Sequence, residues 1–499
     1  MQLLSSQHEI LPSSFETYQQ YENEMINFLN QNEVCFSVNN YNNKSQYVNT
    51  EKPTRVLING IYERINEEWR NQYFDLIKTM GKQYPEQSDI ILLNIFALIH
   101  PEIKASIPQK YYIEVPLSLQ QFIDKCKLLY PKGNIEGKKE QWILMNEKKG
   151  YECKELSSLI NQYWKGCVID IGSGKGYLME ELQKKGIECI GIEGKEEYVK
   201  AMKDRNQKVA KIEKIKPKKD VKVASEYLSS DITSEAFMEI VQKLTSSQEF
   251  LMTCLHACGN LTPTLLRLSI NIPQIKMICA VGCCYHKLTE EIDNWKTNPL
   301  EKKQTYVNEK QYGFPMSEFV KQSIHFHLAH SEISTFADPM KMSKDDFIKM
   351  MKQQSFKAVF EFIMYKTLGS QEDHPTGKTK NGSFHEYFES ALRNIQKRTS
   401  FTYRDKTYNE RLMTFIQEYL NTKEPNMNIQ SIFNQLTING ILVERAAFII
   451  LGALIAPVLE SSIVVDRVLY LQQYCKEVSC QRVFDSSISP RCFALIAKK

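Results

Sequence analysis

The stretch CVIDIGSGKGYLMEEL, residues 167–182, decides the fold. It opens with an apolar run broken only by Asp170, as in a buried strand, and it ends in a helical pattern. Three glycines, Gly172, Gly174 and Gly176, lie between the two elements. Glycine adopts positive φ and lets a ligand approach closely, and the start of the following helix offers unpaired N–H groups. The stretch therefore predicts a strand, a ligand-binding turn and a helix.

Short apolar runs and helical patterns alternate on the C-terminal side of this unit, as in a parallel α/β sheet. The predicted strands are CVIDI (167–171), ECIGIE (188–193), EFLMTCLH (249–256) and MICAVGCC (277–284). A last apolar run, CFALIA (492–497), predicts a strand that completes the sheet near the C-terminus. The intervening segment FKAVFEFIMYKTL fits either a strand or a helix, and residues 384–475 have helical periodicity.

The length of 499 residues exceeds one ordinary core and predicts several domains. We divide the chain by its patterns into four parts. They are a helical N-terminal region (1–140), the cofactor half of an α/β core (141–290), a polar and helical insertion (291–475) and a C-terminal strand that completes the sheet (476–499).

The composition is that of a globular protein, with 42% hydrophobic and 24% charged residues and a net charge of only +4. Thirteen cysteines without dense, even spacing predict a reducing compartment, cytoplasmic or nuclear, and no disulfides. The most apolar run, Ala446 to Leu459, is shorter than the roughly 20 residues of a spanning helix. It predicts a buried helix and no membrane partner.

The glycine spacing indicates which cofactor the turn binds. It is G-x-G-x-G, whereas a dinucleotide fingerprint is G-x-G-x-x-G and would place a glycine at Tyr177. Glu193 ends the second predicted strand, where an acid accepts hydrogen bonds from ribose hydroxyls. Asp231, after a third strand, is placed to face an adenine amine. The sequence thus offers a glycine turn, an acid for the ribose and a later aspartate, but no pyrophosphate site. This set of features favours S-adenosylmethionine over NAD.

Several motifs together resemble one branch of the class I S-adenosylmethionine-dependent methyltransferases. That branch includes the methyltransferase-like protein 25 group and the ribosomal RNA adenine dimethylase domain-containing protein. The motifs are DIGSGKG (170–176), LHACGNL (255–261), VGCCYHKL (281–288), GFPMS (313–317), SPRCFALIAKK (489–499) and, more loosely, MNEKKGYE (145–152). LH-x-CG-x-L followed by GCCY is far more specific than DIGSGKG alone. Asn260, where the branch usually has aspartate, and His286, at a commonly apolar position, depart from its pattern.

The resemblance implies a seven-stranded, Rossmann-like methyltransferase sheet with a large helical insertion before its last strands. It implies cofactor contacts at the turn, where Asp170 precedes the glycines, and at two acidic residues beyond it. The cofactor-binding residues are Asp170, Gly172, Gly174, Gly176, Glu193 and Asp231. A more distant likeness to a tRNA 2′-O-methyltransferase family makes RNA, either rRNA or tRNA, a candidate substrate by analogy.

A cluster of histidines and cysteines follows the fourth and fifth predicted strands, whose ends face the cofactor cleft. His256 is the candidate general base, because histidine titrates near neutral pH, and Tyr285 is a second catalytic candidate. The cysteines fit small strand residues, and His256 equally fits a structural role. A zinc site built from His256, Cys258, Cys283, Cys284 and His286 is the alternative. Its spacing is not CxxC…CxxC, so we predict no metal.

Local charge provides the signal for a nucleic-acid partner. Residues 195–222 carry 11 Lys and Arg against 5 Asp and Glu. This excess of positive charge suits phosphate binding but also a solvated helix face.

The sequence thus predicts an S-adenosylmethionine-dependent methyltransferase acting on RNA. The alternatives are a methyltransferase-fold scaffold that binds a protein partner without catalysis, and a methyltransferase for proteins or small molecules. The absence of a DPPY or NPPY tetrapeptide after the fourth strand weakens adenine dimethylation.

Overall fold

The structure is a computed structural model, and its description is confined to part of the chain. The described residues are 9–35, 61–133, 135–138, 140–213, 222–290, 312–326, 328, 339–368, 377–379, 382–397, 406–422 and 429–499. The chain forms two compact units, each assembled from separate stretches. The first contains Met1–Gln31, Leu129–His330 and Pro457–Lys499, and the second contains Asn32–Leu128 and Ser331–Ala456.

The first unit is built on a seven-stranded sheet. Its strands are β1 (Cys167–Ile171), β2 (Cys189–Glu193), β3 (Val223–Ser225), β4 (Phe250–Cys258), β5 (Ile275–Cys283), β6 (Glu477–Arg482) and β7 (Phe493–Lys498). Their spatial order is β3-β2-β1-β4-β5-β7-β6. The first five strands are parallel, and β7 runs antiparallel to both β5 and β6. This sheet confirms the predicted class I methyltransferase fold.

The parallel strands are apolar because both faces of the sheet are covered. All five residues of β1 and of β2 are buried, Asp170 and Glu193 included. The helices of this unit are Tyr18–Gln31, Glu147–Tyr163, Tyr177–Lys184, Glu196–Glu213, Ser234–Gln242, Leu261–Asn271 and Glu318–Ser323. The crossover helices lie between consecutive parallel strands in the chain, as the alternating pattern predicts. The strand order reverses between β1 and β4, which is where open α/β sheets bind ligands.

Strand β6 was not predicted. Its sequence, EVSCQR, has neither an apolar run nor a strict alternation, although its last four residues are buried. Pairing with β7 places it in the sheet, so tertiary context outweighs its weak intrinsic signal.

The second unit is helical in its described part. Its helices are Ile61–Arg64, Glu67–Trp69, Asp75–Gln83, Ser88–Phe96, Leu117–Leu128, Lys344–Leu368, Phe384–Lys397, Lys406–Thr422 and Ile429–Ile438. The ambiguous segment FKAVFEFIMYKTL is helical, within Lys344–Leu368. Its apolar residues pack with those of the next helices in a core that includes Phe360, Phe388 and Leu392.

The helix Ile441–Gln472 contains the most apolar run of the chain and crosses the boundary between the units at Pro457. By length and composition alone it is able to cross a membrane, but 89% of its most apolar window is buried. That burial agrees with the predicted core helix.

Candidate functional site

The glycine turn after β1 carries the geometry expected of a ligand cradle. Gly172, Gly174 and Gly176 have φ of +69°, +55° and +75°, which L-residues with side chains rarely adopt. A Cβ at Gly172 would meet no atom within 4 Å, and one at Gly174 would meet only a backbone oxygen at 3.9 Å. The space beside these two glycines is therefore open. Gly176 instead packs against Met202, whose Cγ would lie 2.7 Å from a Cβ, and it precedes the helix Tyr177–Lys184.

Glu193, at the end of β2, is hydrogen-bonded to the same turn. Its Oε2 accepts from the N–H of Gly174 at 2.8 Å, and its Oε1 accepts from the N–H of Lys195 at 3.0 Å. The side chain is nearly buried. A carboxylate has about four acceptor sites, so Glu193 retains capacity for the hydroxyls of a ribose.

Two buried polar atoms at the end of β1 have no hydrogen-bond partner among the described residues. They are Oδ2 of Asp170 and Oγ of Ser173. Buried polar groups are almost always paired, so these two oxygens mark a place where a ligand's donors fit. Burial, with the nearby charge of Glu193, raises the pKa of Asp170 to about 7, although Lys149 acts in the opposite direction.

Replacing Asp170 by Asn should remove a pH dependence of stability. The pKa of Asp170 is higher in the folded chain than in the unfolded chain, so the folded state favours the protonated carboxyl. This carboxyl therefore contributes to the free energy of unfolding fully below the unfolded pKa near 4, and the contribution is lost as pH rises through about 7. At about pH 8 we expect Asp170→Asn to be more stable by on the order of 2–4 kcal/mol, with little difference at about pH 4.

Chemical denaturation of the two chains at both pH values measures this difference. Asp231→Asn is the control, because it makes the same substitution at an aspartate that is exposed in a turn after β3. Equal stability differences at both pH values would exclude a buried, resistant Asp170 carboxyl.

Asp231 and Tyr227 follow β3 in the chain, and Asp231 is exposed in a turn. Sequence reasoning missed Tyr227, which is 82% exposed and has its Cδ2 only 3.2 Å from the Cβ position of Gly194. An exposed aromatic ring beside Glu193 suits stacking on a nucleobase, and the high exposure of so large a ring is the signal that identifies it.

His256 lies at a bulge in β4. The register with β5 shifts between Leu255 and Ala257, and His256 has a φ of +69°. Bulges re-aim side chains and occur often beside active sites. The ring Nε2 lies 2.9 Å from Oε1 of Glu152, and 23% of the side chain is exposed.

Glu152 is the partner of His256 that sequence reasoning missed. It is carried by the helix Glu147–Tyr163, which Asn146 caps by accepting from the N–H of Lys149 at 2.7 Å. The same Oε1 accepts from Oγ of Ser489 at 2.7 Å. Burial alone would raise the pKa of Glu152, but the hydrogen bond and charge of His256, with help from Ser489 and Lys149, lower it below its usual value.

Tyr285, the second catalytic candidate, lies in the protein interior. It is 2% exposed, and the guanidinium carbons of Arg467 and Arg491 each lie 5.2 Å from its ring centroid. Burial, with the charge of Glu460, raises its pKa. Tyr285 is therefore buried beside two guanidinium groups, and its catalytic role stays a prediction. His286 is half-buried in the turn Tyr285–Lys287.

Three cysteines meet beside His256. Sγ of Cys258 lies 3.2 Å from Sγ of Cys283 and 3.4 Å from Sγ of Cys284, and the latter two are 3.7 Å apart. Hydrogen bonds from Cys283 and Cys284 lower the pKa of Cys258 to about 5, against the effect of burial. The hydrogen bond with Cys258 and burial raise the pKa of Cys283. All 13 cysteines of the chain are free.

Comparison with known proteins agrees with this geometry. Residues 148–291 match a protein family described as a methyltransferase domain. They contain β1 to β5, the glycine turn, Glu152 and His256. Residues 148–291 form a methyltransferase domain. Its sheet has the strand order of the class I methyltransferase fold that the sequence predicts.

Two relatives of the methyltransferase domain carry the description "Probable methyltransferase-like protein 25". The mouse protein is 29% identical over 279 residues, and the human protein is 28% identical over 277 residues. Each match covers 54% of this chain, and 41% and 40% of the mouse and human proteins respectively. The match thus spans less than half the length of these relatives.

Two solved structures are also similar. The plantazolicin methyltransferase BpumL in complex with SAH shares 13% identity, covers 56% of this chain and 79% of its own, and has a TM-score of 0.18. The plantazolicin methyltransferase BamL, with a desmethylPZN analogue and SAH, shares 12% identity, covers 67% and 90%, and has a TM-score of 0.19. Scores this low support no inference about this chain.

Proposed function

We propose that this chain catalyses methyl transfer from S-adenosylmethionine bound at the glycine turn. The observation that carries the proposal is the open space beside Gly172 and Gly174, flanked by the unpartnered buried oxygens of Asp170 and Ser173. These residues fit the methionine part of the cofactor, whose ammonium is a donor. Glu193 fits the ribose hydroxyls.

The adenine end fits the turn after β3. Asp231 accepts from an exocyclic amine, and the exposed ring of Tyr227 offers a stacking surface. Together the three parts provide complementary groups for an amino acid, a ribose and a purine, in the order in which S-adenosylmethionine presents them.

When bound, S-adenosylmethionine supplies a methyl group on a sulfonium, which is already a good leaving group. The chain then has to orient the acceptor and, where its nucleophile is protonated, to remove a proton. His256 is suited to that step. Since the ionised Glu152 only accepts hydrogen bonds, Nε2 of His256 must donate to it, and the lone pair of a neutral ring is left on Nδ1. Glu152 is thus a positioning residue that selects this tautomer.

Calorimetric titration of the full chain with S-adenosylmethionine tests cofactor binding. We expect saturable binding at one site per chain. A well-folded chain that takes up none would contradict catalysis and would support the alternative of a scaffold with a methyltransferase fold.

We further propose that the acceptor is RNA. The helix Glu196–Glu213 follows β2 and therefore begins beside Glu193. Four of its lysines, Lys200, Lys203, Lys208 and Lys211, are exposed. The rest of the basic segment, residues 214–221, lies outside the described residues. Exposed lysines next to a cofactor site suit the phosphates of a nucleic acid.

Changing these four lysines to glutamine should weaken binding of a mixed-sequence single-stranded RNA. We expect the slope of log affinity against log salt to fall by up to about 3, because each lost contact removes about 0.7. Fluorescence anisotropy over a salt series measures it. The matched control changes Lys344, Lys349, Lys352 and Lys366, which are four exposed lysines of the helix Lys344–Leu368.

Equal slopes for both quadruple variants would contradict RNA as the acceptor. Methyl-labelled S-adenosylmethionine then separates the remaining classes, since label in protein or in small molecules, rather than in total RNA, identifies those acceptors.

A further inference from the structure

The cluster formed by Cys258, Cys283 and Cys284, hereafter the thiol cluster, has a geometry that hydrogen bonding alone does not require. Its three Sγ atoms lie within 3.2–3.7 Å of one another. A tetrahedral zinc ion with Zn–S bonds of about 2.3 Å separates its sulfurs by about 3.8 Å. The thiols therefore need to move apart by only a few tenths of an ångström to surround one ion.

The fold explains why the three thiols converge. Cys258 and Cys283 are direct partners in the ladder between β4 and β5, so their side chains lie side by side. Regular alternation would turn Cys284 to the opposite face from Cys283. Instead Cys284 has a φ of +51°, which is uncommon for a residue with a side chain and brings its Sγ back to the other two. The chain adopts an unfavourable backbone conformation at the position that completes the cluster.

The exposure of the three residues leaves one side of the cluster open. Cys283 is buried, Cys284 is intermediate and Cys258 is exposed. An ion held by all three thiolates would have Cys283 beneath it and solvent above it. Zinc sites with three protein ligands keep their fourth position for water or a substrate. Lys287, exposed in the adjoining turn, offsets the excess negative charge of three thiolates around a divalent cation.

We propose that the thiol cluster binds one zinc ion through Cys258, Cys283 and Cys284, with an open fourth position. Soft thiolate ligands select zinc over magnesium, calcium or manganese. The site stands on the thiol geometry and does not depend on methyl transfer. It differs from the interpretation of the sequence, which predicts no metal because the three cysteines lack a CxxC spacing.

Metal analysis of the full chain, purified under reducing conditions and equilibrated with zinc, tests the site. We expect one zinc per chain. Competition against a chelating dye should show zinc affinity at least ~100-fold lower in Cys258→Ser and in Cys284→Ser, because each loses a direct ligand. Cobalt(II) provides a second readout, since the wild-type chain should show thiolate-to-cobalt charge-transfer absorption that both variants lack.

Cys475→Ser is the matched control, because Cys475 is a partly exposed thiol outside the cluster and its variant should bind zinc as the wild-type chain does. Both test variants replace accessible cysteines, and circular dichroism with thermal unfolding checks that each remains folded. A folded wild-type chain without zinc, undiminished zinc in the Cys258→Ser/Cys284→Ser double variant, or a Cys258–Cys283 disulfide in its place would each overturn the proposal. Loss of cofactor binding with zinc retained would count against the proposed function alone.

Discussion

Gly174→Arg is expected to abolish S-adenosylmethionine binding without unfolding the chain. A Cβ at Gly174 points into open space, with one backbone oxygen at 3.9 Å, so the longer side chain would occupy the volume that the cofactor needs. We expect the affinity to fall by more than about 100-fold, which corresponds to about 2.8 kcal/mol. Calorimetric titration beside the wild-type chain measures the loss.

The matched control is Gly186→Arg. Gly186 also has a positive φ, of +76°, and open space around its Cβ position, but it lies in the turn after the helix Tyr177–Lys184. Both variants therefore carry the same left-handed strain, on the order of 1–2 kcal/mol. If Gly174→Arg binds the cofactor as tightly as Gly186→Arg does, the cofactor does not lie in the glycine turn.

His256→Gln is expected to lower the rate of methyl transfer by about 10²–10⁴-fold, the usual contribution of a general base. Glutamine keeps an N–H that can donate to Glu152 but has no nitrogen that titrates near neutral pH. The affinity for S-adenosylmethionine should be unchanged, because His256 lies in β4 and not in the glycine turn. Incorporation of label from methyl-labelled S-adenosylmethionine into total RNA measures the rate.

Glu152→Gln separates the positioning role from a merely structural one. A glutamine can donate as well as accept, so it no longer selects the tautomer of His256. The rate of methyl transfer should fall, and its pH profile should shift.

The control for His256→Gln is His100→Gln, since His100 also hydrogen-bonds a glutamate, Glu102, at 3.0 Å but belongs to the second unit. Full activity of His256→Gln, or a fall equal to that of His100→Gln, would assign His256 a structural role.

The sequence predicts the core of the sheet well because its strands are unusually apolar. The observed limits of β1, β2, β4 and β5 agree with the predicted runs to within about two residues. The glycine turn and Glu193 are also predictable from the sequence. A positive φ favours glycine, and the strand-end position of Glu193 is marked by an acidic residue directly after an apolar run. Strand β6 leaves no comparable pattern, since its burial depends on pairing with β7.

The contact between Glu152 and His256 is less predictable, because it joins residues that are distant in the sequence. Glu152 and His256 are far apart in sequence, and a helix, a strand and a bulge must all form before they meet. The thiol cluster likewise depends on the register that pairs Cys258 with Cys283. In the sequence Cys258 is 25 residues before Cys283, whereas the ladder makes these two residues neighbours.

The position of β7 between β5 and β6 has a consequence for the order of folding. β5 ends at Cys283, and its antiparallel partner begins only at Phe493. Contacts this distant in sequence form slowly, so β5 spends the early part of folding as an unpaired apolar edge, the kind that aggregates. The entropic cost of the long closure is nonetheless mild, since doubling the connection adds only about 0.6 kcal/mol. The long helical insertion between these strands therefore slows folding more than it lowers the free energy of unfolding.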